Sequence, residues 1–101
     1  ARWLQVWLNG GEGLLSPESF RHMTTPPSGE GRPYAHGWIV NPSDPLASGT
    51  LTLAHEGSNT LWHAIAIVAP RRGRGVFALA NEFSKGAPAD QTLAVRLLRD
   101  R

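Results

Sequence analysis

Two segments, Trp62–Ala69 (WHAIAIVA) and Val76–Ala80 (VFALA), constrain this chain more than any other feature. Both are apolar without alternation, which predicts central strands covered on both faces. Pro70-Arg71-Arg72-Gly73-Arg74-Gly75 joins them, a short connection suited to an antiparallel hairpin. Such a hairpin needs one layer above it and another below.

The rest of the chain offers those layers. Thr50–His55 sets Leu51 and Leu53 against Thr52 and Ala54, as a half-buried strand does. Tyr34–Val40 is aromatic and β-branched and reads as a strand ended by Asn41-Pro42. Residues 41–49 are turn-rich, and Gly57-Ser58-Asn59 predicts a bend. Residues 2–9 place Trp3, Val6 and Trp7 on one helical face with Leu4 and Leu8 beside them, and Asn9-Gly10-Gly11 ends that helix. Ser16-Pro17-Glu18 opens a second helix, with Ser16 as N-cap, Phe20 and Met23 inward, and a stop before Pro26-Pro27. Residues 26–33 are a loop by composition.

After Ser84-Lys85-Gly86 the pattern returns to helix near Pro88. Asp90 falls early and Arg96, Arg99 and Arg101 late, as the helix dipole favours. Leu93, Leu97, Val95 and Leu98 are expected to cover the sheet. The order is helix, helix, about four strands, helix, with turns between the strands. It predicts an α+β fold: an antiparallel sheet of about four strands flanked by helices, in one unit spanning residues 1–101. Two short helices cover their face of that sheet poorly, and the first starts with no cap or leader before it. Both features read as a break in a longer chain.

Composition sets outer bounds. Hydrophobic residues make up 41% and charged residues 18%, a globular balance. A net charge of +2 gives no footing for a polyanion partner, and the Arg71-Arg72-Gly73-Arg74 run is what a solvated hairpin tip carries. No nucleic-acid partner is therefore expected. No apolar run approaches the roughly 20 residues of a membrane span. Without cysteine there is neither a disulfide nor a thiolate ligand. His22, His36, His55 and His63 lack the short spacings that preorganise metal ligands, so no metal and no other cofactor is expected.

Four segments, in order, resemble the C-terminal region of β-lactamase-related serine hydrolases. This group includes class C β-lactamases, D-Ala-D-Ala carboxypeptidases, D-aminopeptidases and related esterases. The first is Ala1–Leu15 followed by Ser16-Pro17-Glu18-Ser19-Phe20 and Thr25-Pro26. The second is Tyr34-Ala35-His36-Gly37-Trp38, and the third His55-Glu56-Gly57-Ser58. The fourth is Trp62–Asn81, closing on Leu79-Ala80-Asn81. The resemblance covers almost the whole chain through the ordering of its segments, none of which is specific alone.

It implies the C-terminal part of a β-lactamase/transpeptidase-like fold and an acyl transfer to a serine in Ser-x-x-Lys. A Tyr-x-Asn or Ser-x-Asn and a Lys-Thr-Gly or His-x-Gly complete the family's motifs. Only His55-Glu56-Gly57 matches. No serine stands three residues before Lys85, and neither Tyr nor Ser stands two before an Asn. The nucleophile is thus expected upstream, in the N-terminal part of the same enzyme, with this chain inert alone. An amide or ester substrate, small molecule or peptide, and an extracytoplasmic location are likewise implied by the resemblance.

On that reading His55 and Gly57 sit on an edge strand facing the nucleophile. His55 assists substrate binding or proton transfer, and Gly57 lets a substrate backbone approach where a Cβ would block it. The Ser58 N–H donates to the oxyanion. Glu56, Asn59, Tyr34 and Trp38 are the expected substrate-binding residues, although Glu56 stands where the family often has a small residue. Blander readings remain open: a polar strand end turning at Gly-Ser-Asn, and aromatic residues that are core. So do two alternatives for the whole chain, a non-catalytic β-sheet binding module and an excised fragment without activity of its own.

Overall fold

Each strand of the computed structural model, which describes residues 2–27 and 33–100, lies beside its predecessor in sequence. The sheet runs β1 (Tyr34–Ala35), β2 (Trp38–Asp44), β3 (Thr50–Ser58), β4 (His63–Ala69), β5 (Arg74–Ala80), all antiparallel. Helices α1 (Arg2–Leu8) and α2 (Pro17–Met23) precede it and α3 (Gly86–Arg99) follows. The architecture is the expected α+β arrangement, with five strands rather than about four. Most of the loop read at 26–33 lies outside the described residues.

The extra strand comes from a turn inside the expected Tyr34–Val40 strand. His36 and Gly37 have φ of 45° and 96°, and two consecutive positive φ values make the tight hairpin turn that pairs Ala35 with Trp38. His36 therefore occupies a turn, not a strand. Nor does Asn41-Pro42 end β2: the register shifts between Asn41 and Asp44, and this bulge lets the strand carry a proline through to Asp44. Asp44 then holds the corner, its Oδ1 accepting from Leu46 N–H (2.9 Å) and its Oδ2 from Thr52 Oγ1–H (2.6 Å).

Strand alternation divides the sheet residues into two layers. Leu4 and Trp7 of α1, with Phe20 and Met23 of α2, pack on Ala35, Trp38, Val40, Leu53 and Val68. Trp7 is central, with ring centroids 5.3 Å from Trp38, 5.6 Å from Trp3 and 5.9 Å from Phe20. Ser16 caps α2 as expected, accepting from Ser19 N–H at 3.1 Å. On the opposite face Ala94 and Leu98 of α3 pack on Ile67, Ala69 and Val76.

Two expectations about this packing need correction. β5 is an edge strand, not a central one. Val76 and Ala78 lie beneath α3, while Phe77 and Leu79 on the other face are exposed. Its unbroken apolarity reflects an uncovered face. Similarly, α3 buries Gly86, Asp90, Ala94 and Leu98, an i, i+4 ladder, and leaves Leu93 and Leu97 exposed. Gly86 fixes that phase, because a Cβ there would stand 2.5 Å from the Ala80 Cβ.

Candidate functional site

β2 pairs with β3 as far as Ile39 opposite Ala54, whereas β4 accompanies β3 to Ser58. β3 is the middle strand in order, yet among the described residues its last residues have a strand on one side only. The position expected at a sheet edge is therefore a free overhang of an interior strand.

Alternation separates the four residues of this overhang. His55 and Gly57 point to the α1 face, and Glu56 and Ser58 to the α3 face. Across the sheet His55 lies in a row with Ala66 and Phe77, and Gly57 in a row with Ala64 and Leu79. These rows floor an apolar cleft of ≈ 580 Å³, walled further by Trp3, Trp7, Met23 and Trp38. α1 and α2 cover only the Leu53–Val68 end of this face and leave the His55–Gly57 end open. His55 and His36 are its titratable groups.

Gly57 has ordinary strand φ, and a Cβ built on it meets nothing within 4 Å. The fold itself therefore gives no reason for glycine here. The other expected binding residues are dispersed. The Tyr34 ring centroid lies 6.4 Å from that of His55, and Trp38 is shared between cleft and core. Asn59 Oδ1 accepts from Leu61 N–H and Trp62 N–H, both at 3.1 Å, which ties it to the β3–β4 turn. Ser58 Oγ serves the same turn, donating to the Trp62 carbonyl and accepting from Thr60 N–H at 2.9 Å.

Glu56 belongs to a polar cluster that the sequence reading missed. Its Oε2 accepts from Gln91 Nε2 (2.9 Å) and from His63 Nε2 (3.1 Å), while His63 Nδ1 donates to Asp90 Oδ2 (2.9 Å). With a carboxylate at each ring nitrogen, and carboxylates able only to accept, the surroundings of His63 favour the doubly protonated ring. Its pKa is raised, first by the hydrogen bond to Asp90 and then, against the cost of desolvation, by that to Glu56. The Glu56 pKa is lowered, first by Gln91 and then by His63. The two carboxylates lie at opposite ends of one ring and do not converge on a point. Among the described residues no group of three or more His, Asp or Glu side chains is arranged to hold a metal ion. The available signal was Asp90 itself, an acid on the helix's apolar stripe, and His63 inside an apolar strand.

No known protein family profile, curated protein or solved structure matches the chain. No helix among the described residues is long and apolar enough to cross a membrane.

Proposed function

We propose that this chain supplies the substrate-binding strand of a β-lactamase-related serine hydrolase, with the nucleophile and its lysine contributed by residues outside 1–101. The observation that carries this reading is Gly57. It is a glycine that the fold does not require, on a strand overhang whose second edge is unpaired among the described residues, beside His55 and facing an open cleft. A substrate acyl-amide laid along the overhang meets no Cβ at position 57. His55 donates to a substrate carboxylate or relays a proton, and Ser58 N–H is one donor to the developing oxyanion. Glu56 contributes by fixing β3 against α3 rather than by touching substrate, because its side chain faces away from the cleft.

Two measurements test the proposal. Incubated with a fluorescent penicillin or a fluorophosphonate, the isolated chain stays unlabelled; covalent labelling of it overturns the placement of the nucleophile. The reading frame encoding these residues holds a Ser-x-x-Lys upstream of residue 1; its absence overturns the hydrolase. In that event the open cleft favours the non-catalytic binding module, which needs the apolar surface but no nucleophile.

A further inference from the structure

The last residues of β3 are held unequally. On one edge the ladder to β4 continues, with Glu56 opposite Ile65, Gly57 opposite Ala64 and Ser58 opposite His63. On the other edge the ladder to β2 goes no further than Ile39 opposite Ala54. On the α1 face a Cβ built at Gly57 meets nothing within 4 Å. Ser58 Oγ is committed to the β3–β4 turn through Thr60 N–H and the Trp62 carbonyl. Among the described residues, Glu56 is the side chain that ties this end of β3 to α3.

That tie runs largely through one ring. His63 lies opposite Ser58, so its side chain stands on the α3 face, diagonal to Glu56 and within reach of a long side chain. Its Nε2 meets Glu56 Oε2 at 3.1 Å and its Nδ1 meets Asp90 Oδ2 at 2.9 Å. Gln91 Nε2 donates to the same Glu56 oxygen at 2.9 Å. From the segment after β5 the Phe83 ring approaches, its centroid 6.3 Å from that of His63. Phe83 brings no charge. Among the described residues, Glu56 from β3 and Asp90 from α3 are the ionisable groups that act on the ring, and His55 acts on Glu56 from across the strand.

We infer that Asp90, His63 and Glu56 form a proton-operated clamp, which positions the His55–Gly57 strand end from the far side of the sheet and loosens when His63 gives up a proton. The part that this strand end plays in substrate binding rests on the function proposed above; the clamp itself does not. Its geometry decides which bond opens. A carboxylate only accepts, so the ring serves both acids only while it donates from both nitrogens. A singly protonated ring serves one. The Asp90 side chain is 7% exposed and that of Glu56 45%, so water replaces a lost donor at Glu56 but not at Asp90. The remaining proton therefore stays on Nδ1, and the Nε2 lone pair then faces the Glu56 carboxylate. Gln91 alone still donates to it.

Strand alternation carries the change through the sheet. His55 and Gly57 flank Glu56 on the chain and point to the opposite face, so releasing Glu56 frees the backbone that sets both of them. The clamp is shut while Glu56 is a carboxylate and His63 is doubly protonated. The Glu56 pKa is lowered from 4.5 and that of His63 raised from 6.5, so the clamp is shut between those limits. It opens as pH rises through the folded value of His63, above 6.5.

Amide hydrogen exchange on the 101-residue chain, followed by NMR across the titration of its histidine rings, tests the clamp. The readout is the protection of residues 56–58 relative to residues 50–54 of the same strand, a ratio in which the common base-catalysed acceleration cancels. It falls by about tenfold as His63 titrates, the loss expected of one charge-assisted hydrogen bond at a half-exposed carboxylate. Asp90→Asn moves that step to lower pH. Glu56→Gln removes it, because the new amide donates to the neutral Nε2 while its oxygen accepts from Gln91; a tie that were merely structural would weaken in this variant at every pH. A ratio that stays level in the unaltered chain overturns the clamp, as does a step that follows the His55 ring or persists in Glu56→Gln. A reading frame without an upstream Ser-x-x-Lys leaves the exchange pattern unchanged, so failure of the hydrolase and failure of the clamp are told apart.

Discussion

Asp90 of α3 accepts a hydrogen bond from His63 of β4 at 2.9 Å, where both residues are almost closed off from solvent. His63 passes the link on to Glu56 of β3, which Gln91 of α3 also holds. One imidazole ring thus ties two strands to the helix that covers them. Removing one partner of a buried charged pair leaves the other desolvated and unsatisfied. Asp90→Ala should lower the thermal midpoint by on the order of 10 °C, read by circular dichroism. Asp90→Asn, which retains an acceptor, should lose less.

The same link makes stability depend on pH. The His63 pKa is raised above 6.5, so its contribution is complete below about that pH and is lost as pH rises through the folded value. Glu56 is held below 4.5, so its contribution is present above about that pH and is lost as pH falls through the folded value. Both shifts describe partly the same contact and are not additive. The midpoint should therefore be highest between about pH 4.5 and 6.5. His63→Gln should flatten the alkaline decline; an unchanged alkaline limb in that variant would sink the assignment.

Leu53 sits fully buried where α1 meets the sheet centre. Leu53→Ala should cost about 2–5 kcal/mol in urea denaturation, the usual range for a buried leucine whose cavity cannot collapse.

Close approach of α3 to β5 gives a paired test. Gly86→Ala brings a Cβ to 2.5 Å from that of Ala80 and should cost about 1–3 kcal/mol. Ala80→Gly in the same chain should recover most of the loss. A purely local helix effect at residue 86 would not respond to residue 80.

These contacts mark what the amino-acid sequence makes legible. The Ser16 cap is readable because capping is settled by a few neighbouring residues. The strand at Thr50–His55 is readable too, but not its half-buried alternation or the bend at Gly57-Ser58-Asn59: Thr52 is 2% exposed, Ala54 packs on the α3 side, and β3 runs on to Ser58. The edge position of β5 is not readable. Apolarity on both faces marks a covered strand, and it equally marks an edge strand with one face left open. The phase of α3 escaped because leucines outnumber the residues that face the sheet, and Gly86 against Ala80 decides which flank is buried. The His63–Asp90 bond spans 27 residues and exists only once strand order and helix phase are both set. In the cleft, His55 and Gly57 are legible as a pair, while Glu56 and Ser58 turn away because adjacent strand residues face opposite sides.

Gly57 offers the sharpest separation of folding from function. Glycine within a strand costs roughly 0.5–1 kcal/mol relative to alanine, and a Cβ at this position meets no atom of the chain within 4 Å. Gly57→Ala should therefore stabilise the isolated chain by about that amount in urea denaturation. On the function proposed above, the same change made in the complete protein should raise KM for an amide or ester substrate while leaving the fold intact, because the added methyl would occupy the space that reading gives to the substrate backbone. A bulkier Gly57→Val should abolish turnover. Stabilisation with unaltered KM would mean that nothing docks against this strand, and the functional reading of His55 and Gly57 would fall with it.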